Sequence, residues 1–215
     1  MDEWHDILPF LRNKQMVWWG QCSLFLNWIS ERYIQQAAWN KLGLKQCAEN
    51  GDLKGVKYLV ERCEADVHAR DEEALRAASY FGHLDVAKYL VENGADVRAY
   101  DDDAVQWASQ NGHLEVVKYL VEKGANVHAW DELALRWASR DGHVQLVKYL
   151  VEKCDANVHA ENEGALRWAS RKGHLEVVQY LVKKGVYVHT NYEEALREAI
   201  LNHHLDIVRF LVEEG

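Results

Sequence analysis

One block, Ala-Leu-Arg-Trp-Ala-Ser-x-x-Gly-His-Leu-Glu-Val-Val-Lys-Tyr-Leu-Val-Glu-Lys-Gly-Ala-Asn-Val-His-Ala, returns along the chain every 30 or 31 residues. Its first glycine recurs as Gly51, Gly82, Gly112, Gly142 and Gly173, and His203 stands in that slot in the last copy. A unit this short cannot bury its own apolar face, so neighbouring units must stack and share one continuous core. The expected product is a single elongated array with a long open surface. The functional question becomes what that surface binds.

Within each copy an Asx residue stands eleven positions before the glycine: Asn40, Asp71, Asp101, Asp131 and Asn162, with Asn191 one place earlier in the last copy. The pattern predicts an N-cap there, and the acidic residue that usually follows (Glu72, Asp102, Glu132, Glu163) suits a helix N-terminus. On this first helix, helix A, Ala74, Leu75 and Ala78 share one stripe, as do Ala134, Leu135, Ala138 and Ala165, Leu166, Ala169. The glycine then ends helix A, and a second amphipathic helix, helix B, runs to Gly94, Gly124, Gly185 or Gly215. In both 31-residue copies that second glycine gives way to Cys63-Glu64 or Cys154-Asp155. Loss of a left-handed glycine there predicts a longer exit path, and a structural role for the two cysteines.

Composition narrows the classes. Apolar residues make up 48% of the chain and charged ones 27%, as in ordinary folded proteins, while a net charge of −9 argues against general attraction to nucleic acid. The most apolar run, Met16 to Ile29, is broken by Gly20, Gln21, Ser23 and Asn27 and is shorter than the ~20 residues a membrane span needs. The start, Met-Asp-Glu-Trp-His-Asp, is acidic where a secretory leader is basic. Cys22, Cys47, Cys63 and Cys154 show no metal or disulfide spacing, which fits a reducing compartment. A cytoplasmic location is the expectation.

The run Gly-His-Leu-Glu-Val-Val-Lys-Tyr-Leu-Val-Glu-Lys-Gly-Ala-Asn-Val at 112–127 resembles the ankyrin repeat, and the resemblance covers roughly residues 41–215. It implies an all-α solenoid of stacked helix-turn-helix units. Ankyrin repeats usually run about 33 residues and open helix A with Thr-Pro-Leu-His. Here Ala-Leu-Arg takes that place, no repeat contains proline, and the missing residues fall in the connecting hairpin. Shortened hairpin connections are therefore expected. Repeats of this short, proline-free kind are similar to those of ankyrin proteins from amoeba-infecting giant viruses. Residues 1–40 hold five of the nine tryptophans and the only proline, and read as a helical N-terminal cap. The last copy, with Glu198, Ile200 and His203 in place of Trp, Ser and Gly, reads as the C-terminal cap.

The fourth position of each Ala-Leu-Arg-Trp core runs Gln46, Ala77, Trp107, Trp137, Trp168, Glu198. It lies at the edge of the exposed side of helix A, and three successive tryptophans there predict a ladder of about one helix spacing, ~10 Å. That ladder either packs between repeats or forms an open contact surface. The two residues before each glycine and the one after each Val-His-Ala vary while the frame does not. By the resemblance, these slots line the concave groove in which ankyrin proteins hold their partners. The expected partner-binding residues are thus Tyr80, Phe81, Tyr100, Trp107, Trp130, Trp137, Arg140, Trp168 and Arg171. Aromatics with arginine are the chemistry of interface hot spots.

Arg76, Arg136, Arg167 and Arg197 each follow a Glu by four residues, which predicts weak helix-surface ion pairs of ~0.2–0.5 kcal/mol. Repeat three has Asp102 and Gln106 instead, so the pair reads as dispensable. Tyr58, Tyr89, Tyr119, Tyr149 and Tyr180 on helix B read as partly buried packing residues. Histidines recur once per repeat at His83, His113, His143, His174 and at His68, His128, His159, His189. Equivalent side chains about 10 Å apart cannot share a metal whose ligands lie ~2 Å away, so these histidines read as structural. No nucleophile–base pair, phosphate loop or cofactor motif occurs, and Ser79, Ser109, Ser139 and Ser170 read as helix residues. The leading expectation is a non-catalytic scaffold for a protein partner with an apolar or acidic surface, with no small-molecule substrate and no membrane. Two alternatives are a substrate adaptor recruiting a ubiquitin-ligase component through residues 1–40, and nucleic-acid binding.

Overall fold

The computed structural model describes residues 39–186 and 192–214. All of the expected N-terminal cap except its last two residues, together with His189 and Asn191, lies outside them. Among the described residues there are twelve helices and no strand. The A helices are α1 (Trp39–Glu49), α3 (Ala69–Phe81), α5 (Ala99–Gln110), α7 (Ala129–Arg140), α9 (Ala160–Lys172) and α11 (Tyr192–Leu201). The B helices are α2 (Leu53–Cys63), α4 (Leu84–Glu92), α6 (Leu114–Glu122), α8 (Val144–Lys153), α10 (Leu175–Lys183) and α12 (Leu205–Glu214).

Each A helix packs on its own B helix and on the A helices before and after it. Successive A helices lie closer together than successive B helices, so the stack bends toward the A side. Small residues allow this close approach: Ala78, Ala108, Ala138 and Ala169 are wholly buried, with Leu75, Leu135 and Leu166 beside them. From the B helices Leu90, Leu120, Leu150 and Leu181 complete a single core through the whole array.

The junction between helices A and B carries a device that repeats. The glycine ending helix A has positive φ in every internal copy, and the histidine of the next copy lies across it. At Gly82 a Cβ would stand 2.4 Å from Nδ1 of His113. The Nε2 of His83, His113, His143 and His204 donates to Glu49 O, Tyr80 O, Gln110 O and Arg171 O of the preceding unit, at 2.8–3.1 Å. These histidines are inter-repeat clamps. The metal reading finds no support in their spacing, and no group of three potential ligands occurs among the described residues.

Among the described residues, the connection from helix B to the next helix A is short and holds no strand. It is one left-handed turn of three non-glycine residues: 70–72, 100–102, 130–132 and 161–163, all with φ between 51° and 65°. The Asx residues Asp71, Asp101, Asp131 and Asn162 sit in the middle of these turns, so they are not N-caps. The same short polar side chain that suits an N-cap also tolerates the left-handed region better than other L-residues do. Nor do the following acids face solvent at a helix end. Glu72, Asp102, Glu132 and Glu163 are buried, at 3–6% exposure. His68, His128 and His159 place Nδ1 2.6–2.9 Å from Oε1 of Glu72, Glu132 and Glu163. Asp102 and Glu132 also accept the backbone N–H of Asn126 and Asn157 in the next unit, at 2.7 and 3.1 Å.

The repeated arginines hold this turn rather than the glutamate four residues back. Arg76 donates to Asp71 O and Arg70 O, and Arg136 to Asp131 O and Trp130 O. Gln106 does the same in repeat three, donating to Asp101 O at 2.8 Å. A left-handed residue costs an L-amino acid ~1–2 kcal/mol, and these side-chain bonds offset part of that strain. The 31-residue copies also differ from expectation. The left-handed position is kept, on Glu64 (φ 52°) and Asp155 (φ 54°), and the extra residue lengthens helix B. Cys63 and Cys154 are half-buried, and burial pushes the Cys154 thiol up, away from thiolate.

Candidate functional site

On the A side the variable residues form a nearly unbroken stripe. The Phe81 and Tyr80 rings meet edge-on with centroids 4.8 Å apart, and Tyr80 meets Trp107 at 5.6 Å. Trp107 and Trp137 lie 5.3 Å apart, tilted by 39°. This pair is thus tighter than the helix spacing of ~10 Å, because the two large rings lean across the gap between their helices. Arg140 lies over the Trp137 ring at 5.8 Å and Arg171 over Trp168 at 5.3 Å. Tyr80 and Phe81 are exposed, whereas the three ladder tryptophans are half-buried. Packing and open surface therefore coexist in one ladder: each tryptophan buries part of its ring and leaves the rest to solvent.

Tyr100 and Trp130 occupy the first position of the left-handed turns and are 64% and 63% exposed. The Arg76 guanidinium covers one face of Tyr100 at 4.9 Å. Of the nine expected contact residues, five (Phe81, Tyr80, Trp107, Trp137, Arg140) form one contiguous group, and Trp168 with Arg171 continues the row. Tyr100 and Trp130 stand apart on the turn edge.

Charge in this stripe is mostly internally neutralised. Arg140 binds Asp141 through two hydrogen bonds, 3.0 and 2.7 Å, and this partner holds its guanidinium above the usual range. Arg171 has only a loose contact to Glu198, 3.8 Å. Lys45 pairs with Glu73 at 2.9 Å, and Arg76 with Asp103 at 3.1 Å. The surface thus offers rings more than free charge.

A cavity of about 310 Å³ opens at the Phe81 end of the stripe, between Lys45, Glu73, Arg76 and the rings of Tyr80, Phe81 and Trp107. The sequence reading passed over this site. Its one legible sign is Ala77, the small residue in a slot that holds tryptophan in the next three repeats.

The remaining expected features divide. Ser79, Ser109, Ser139 and Ser170 are wholly buried, as packing residues are. On helix B, Tyr89, Tyr119, Tyr149 and Tyr180 pack against the core, Tyr89 and Tyr180 also reaching Glu61 and Glu152. Burial pushes Tyr149 up to about 12. Tyr58, in contrast, is 45% exposed. At the C-terminal end, the slots that a following unit covers in earlier repeats carry Ile200, Leu205 and Val212 on the surface. No helix among the described residues is long and apolar enough to cross a membrane.

These features define the class: a helical-hairpin solenoid with an open, ring-lined inner side. The family model for ankyrin repeats (3 copies) matches residues 44–131 and 135–215, most of the chain, so this protein belongs to the ankyrin-repeat family. Such repeats generally mediate protein–protein interaction. Comparison with curated proteins returns no match.

Proposed function

We propose that this protein is a non-catalytic scaffold that holds a partner protein along the A side of the array. The observation that carries the reading is the stripe from Phe81 through Tyr80, Trp107 and Trp137 to Arg140, with Trp168 and Arg171 continuing it. Large rigid rings with arginine give contact area at small entropic cost, and they dominate interface energies. The repeated groups that resemble catalytic or metal chemistry are engaged structurally: the histidines in clamps, the acids in turn latches, the serines in the core. A partner with an exposed apolar segment suits the stripe best, with an acidic residue placed to reach Arg171.

The test is capture of protein partners from the native cell on immobilised full-length protein, followed by mass spectrometry. Trp137→Ala with Arg140→Ala, in a protein whose helical content is unchanged, removes the specific partners. If the double variant retains every partner of the parent, the A-side reading fails.

A further inference from the structure

We infer that the vacancy at Ala77 is a seat for one uncharged aromatic side chain of the bound partner; this rests on the A-side reading above. Along the tryptophan slot of helix A the series reads Ala77, Trp107, Trp137, Trp168. Where successive copies hold Trp107 and Trp137, the two rings lie 5.3 Å apart. Where it holds alanine, the row is interrupted by the cavity of about 310 Å³. That volume is at the small end of the ~300–1,000 Å³ range of ligand pockets and has room for one large side chain.

Its walls specify the chemistry of the occupant. Tyr80, Phe81 and Trp107 present ring edges and faces, with Tyr80 and Phe81 39% and 48% exposed. Such rings favour an aromatic neighbour, which they can meet edge to face or offset-stacked. The charges around the mouth already have partners: Lys45 has Glu73 at 2.9 Å and Glu49 at 3.6 Å, and Arg76 has Asp103 at 3.1 Å. A charged occupant would have to break one of these pairs or enter uncompensated. A neutral ring enters without disturbing them, and its edge can meet the polar rim. The partner therefore completes, from outside, a row that the chain leaves one ring short.

The seat can be filled from within. Ala77→Trp supplies the ring that later repeats carry, in a frame that accepts it three times over. The full-length protein and the variant are titrated with N-acetyl-tryptophanamide, N-acetyl-phenylalaninamide and N-acetyl-leucinamide, observing the alanine methyl groups by NMR. The expected result is a saturable shift at Ala77 with the two aromatic amides and none with leucinamide. In the variant, the shifts of the neighbouring methyls are lost while the thermal midpoint is no lower. An equal response to leucinamide, retained binding in Ala77→Trp, or the absence of a saturable shift overturns the proposal. Should Ala77→Trp not fold, Ala77→Met fills part of the space and must weaken the aromatic amides at least severalfold.

Peptides selected from a random displayed library on the parent protein separate this proposal from the reading beneath it. Loss of binding in both Ala77→Trp and Trp137→Ala/Arg140→Ala supports both. Loss in the double variant alone sinks the seat and leaves the scaffold. Loss in neither sinks the two together.

Discussion

Replacing Gly82 by alanine tests how the repeats are fastened. Gly82 has φ 79° and ψ 22°, a conformation that costs an L-residue ~1–2 kcal/mol. The new Cβ would also stand 2.4 Å from Nδ1 of His113. That ring must move, and its Nε2 then loses the 3.0 Å bond to Tyr80 O, a net loss of ~0.5–1.5 kcal/mol. Together the two effects destabilise by about 1.5–3.5 kcal/mol. The chain contains its own control: His203 occupies the same slot at φ 62° in the last copy, where no following histidine ring is described across it. His203→Gly should therefore stabilise by only the backbone part, ~1–2 kcal/mol. Urea unfolding followed by far-ultraviolet circular dichroism measures each variant. The decisive comparison is Gly82→Ala in a His113→Ala background, where the ring is gone and only the backbone cost remains. A coupling of about 1 kcal/mol between the two changes is expected, against the ~0.3–0.5 kcal/mol within which independent sites add. Strict additivity would refute the clamp.

Three further outcomes follow from the turn and the core. Arg136→Ala removes donors from Trp130 O and Asp131 O and should cost about 1–2 kcal/mol in urea unfolding; Arg136→Gln should cost less than half as much, because Gln106 already performs this task. Hydrogen bonding to Glu72, and then its charge, raise the His68 pKa above the usual histidine value. That stabilisation is complete below the unfolded pKa and fades as pH rises through the folded one, so the difference in urea midpoint between the parent and His68→Gln should shrink from pH 5.5 to pH 9. Ser139 is wholly buried and its Oγ has no partner; Ser139→Ala should be neutral or raise the thermal midpoint, whereas Ser139→Ile, the residue found at Ile200, should cost ~1–3 kcal/mol by overpacking.

The sequence was most legible where periodicity decides burial. The Ala/Leu/Ala stripe, the wholly buried leucines of helix B and the two glycine stops all follow from spacing alone. It was least legible where one residue type serves two geometries. Asp71 and its equivalents fit an N-cap and a left-handed turn equally well as letters, and only the backbone separates the two. The arginine four residues after a glutamate is the signature of a helix-surface pair, yet the left-handed turn carries the glutamate inward and leaves the guanidinium to the carbonyls. Of the candidate site, the row of rings was readable from the variable slots. Its closeness was not, because 5.3 Å between Trp107 and Trp137 depends on how far each ring leans across. The Ala77 cavity escaped notice for a related reason: a missing side chain has no chemistry to flag until its neighbours are in place.

The left-handed turn also bears on how the scaffold presents itself. A hairpin finger is a long lever that can adjust to its partner. Here three residues per repeat are held in a conformation that L-amino acids avoid, tied by an arginine or glutamine to the helix and by a buried acid to the unit beside it. Such a turn has little freedom left to lose on binding, so Tyr100 and Trp130 at its first position are offered already ordered. Order at the turn edge and a fixed ring row on the A side together favour a partner segment whose anchor residues match a rigid spacing. If so, lengthening one connection should uncouple the two rows. Inserting Gly-Gly after Asn126 leaves Trp107 and Trp137 on their helices and the Asn126 N–H on Asp102, but frees Trp130 from its turn. Partner capture should then weaken at least tenfold while helical content is kept. Unchanged capture by a folded insertion variant would show that the turn edge takes no part in recognition.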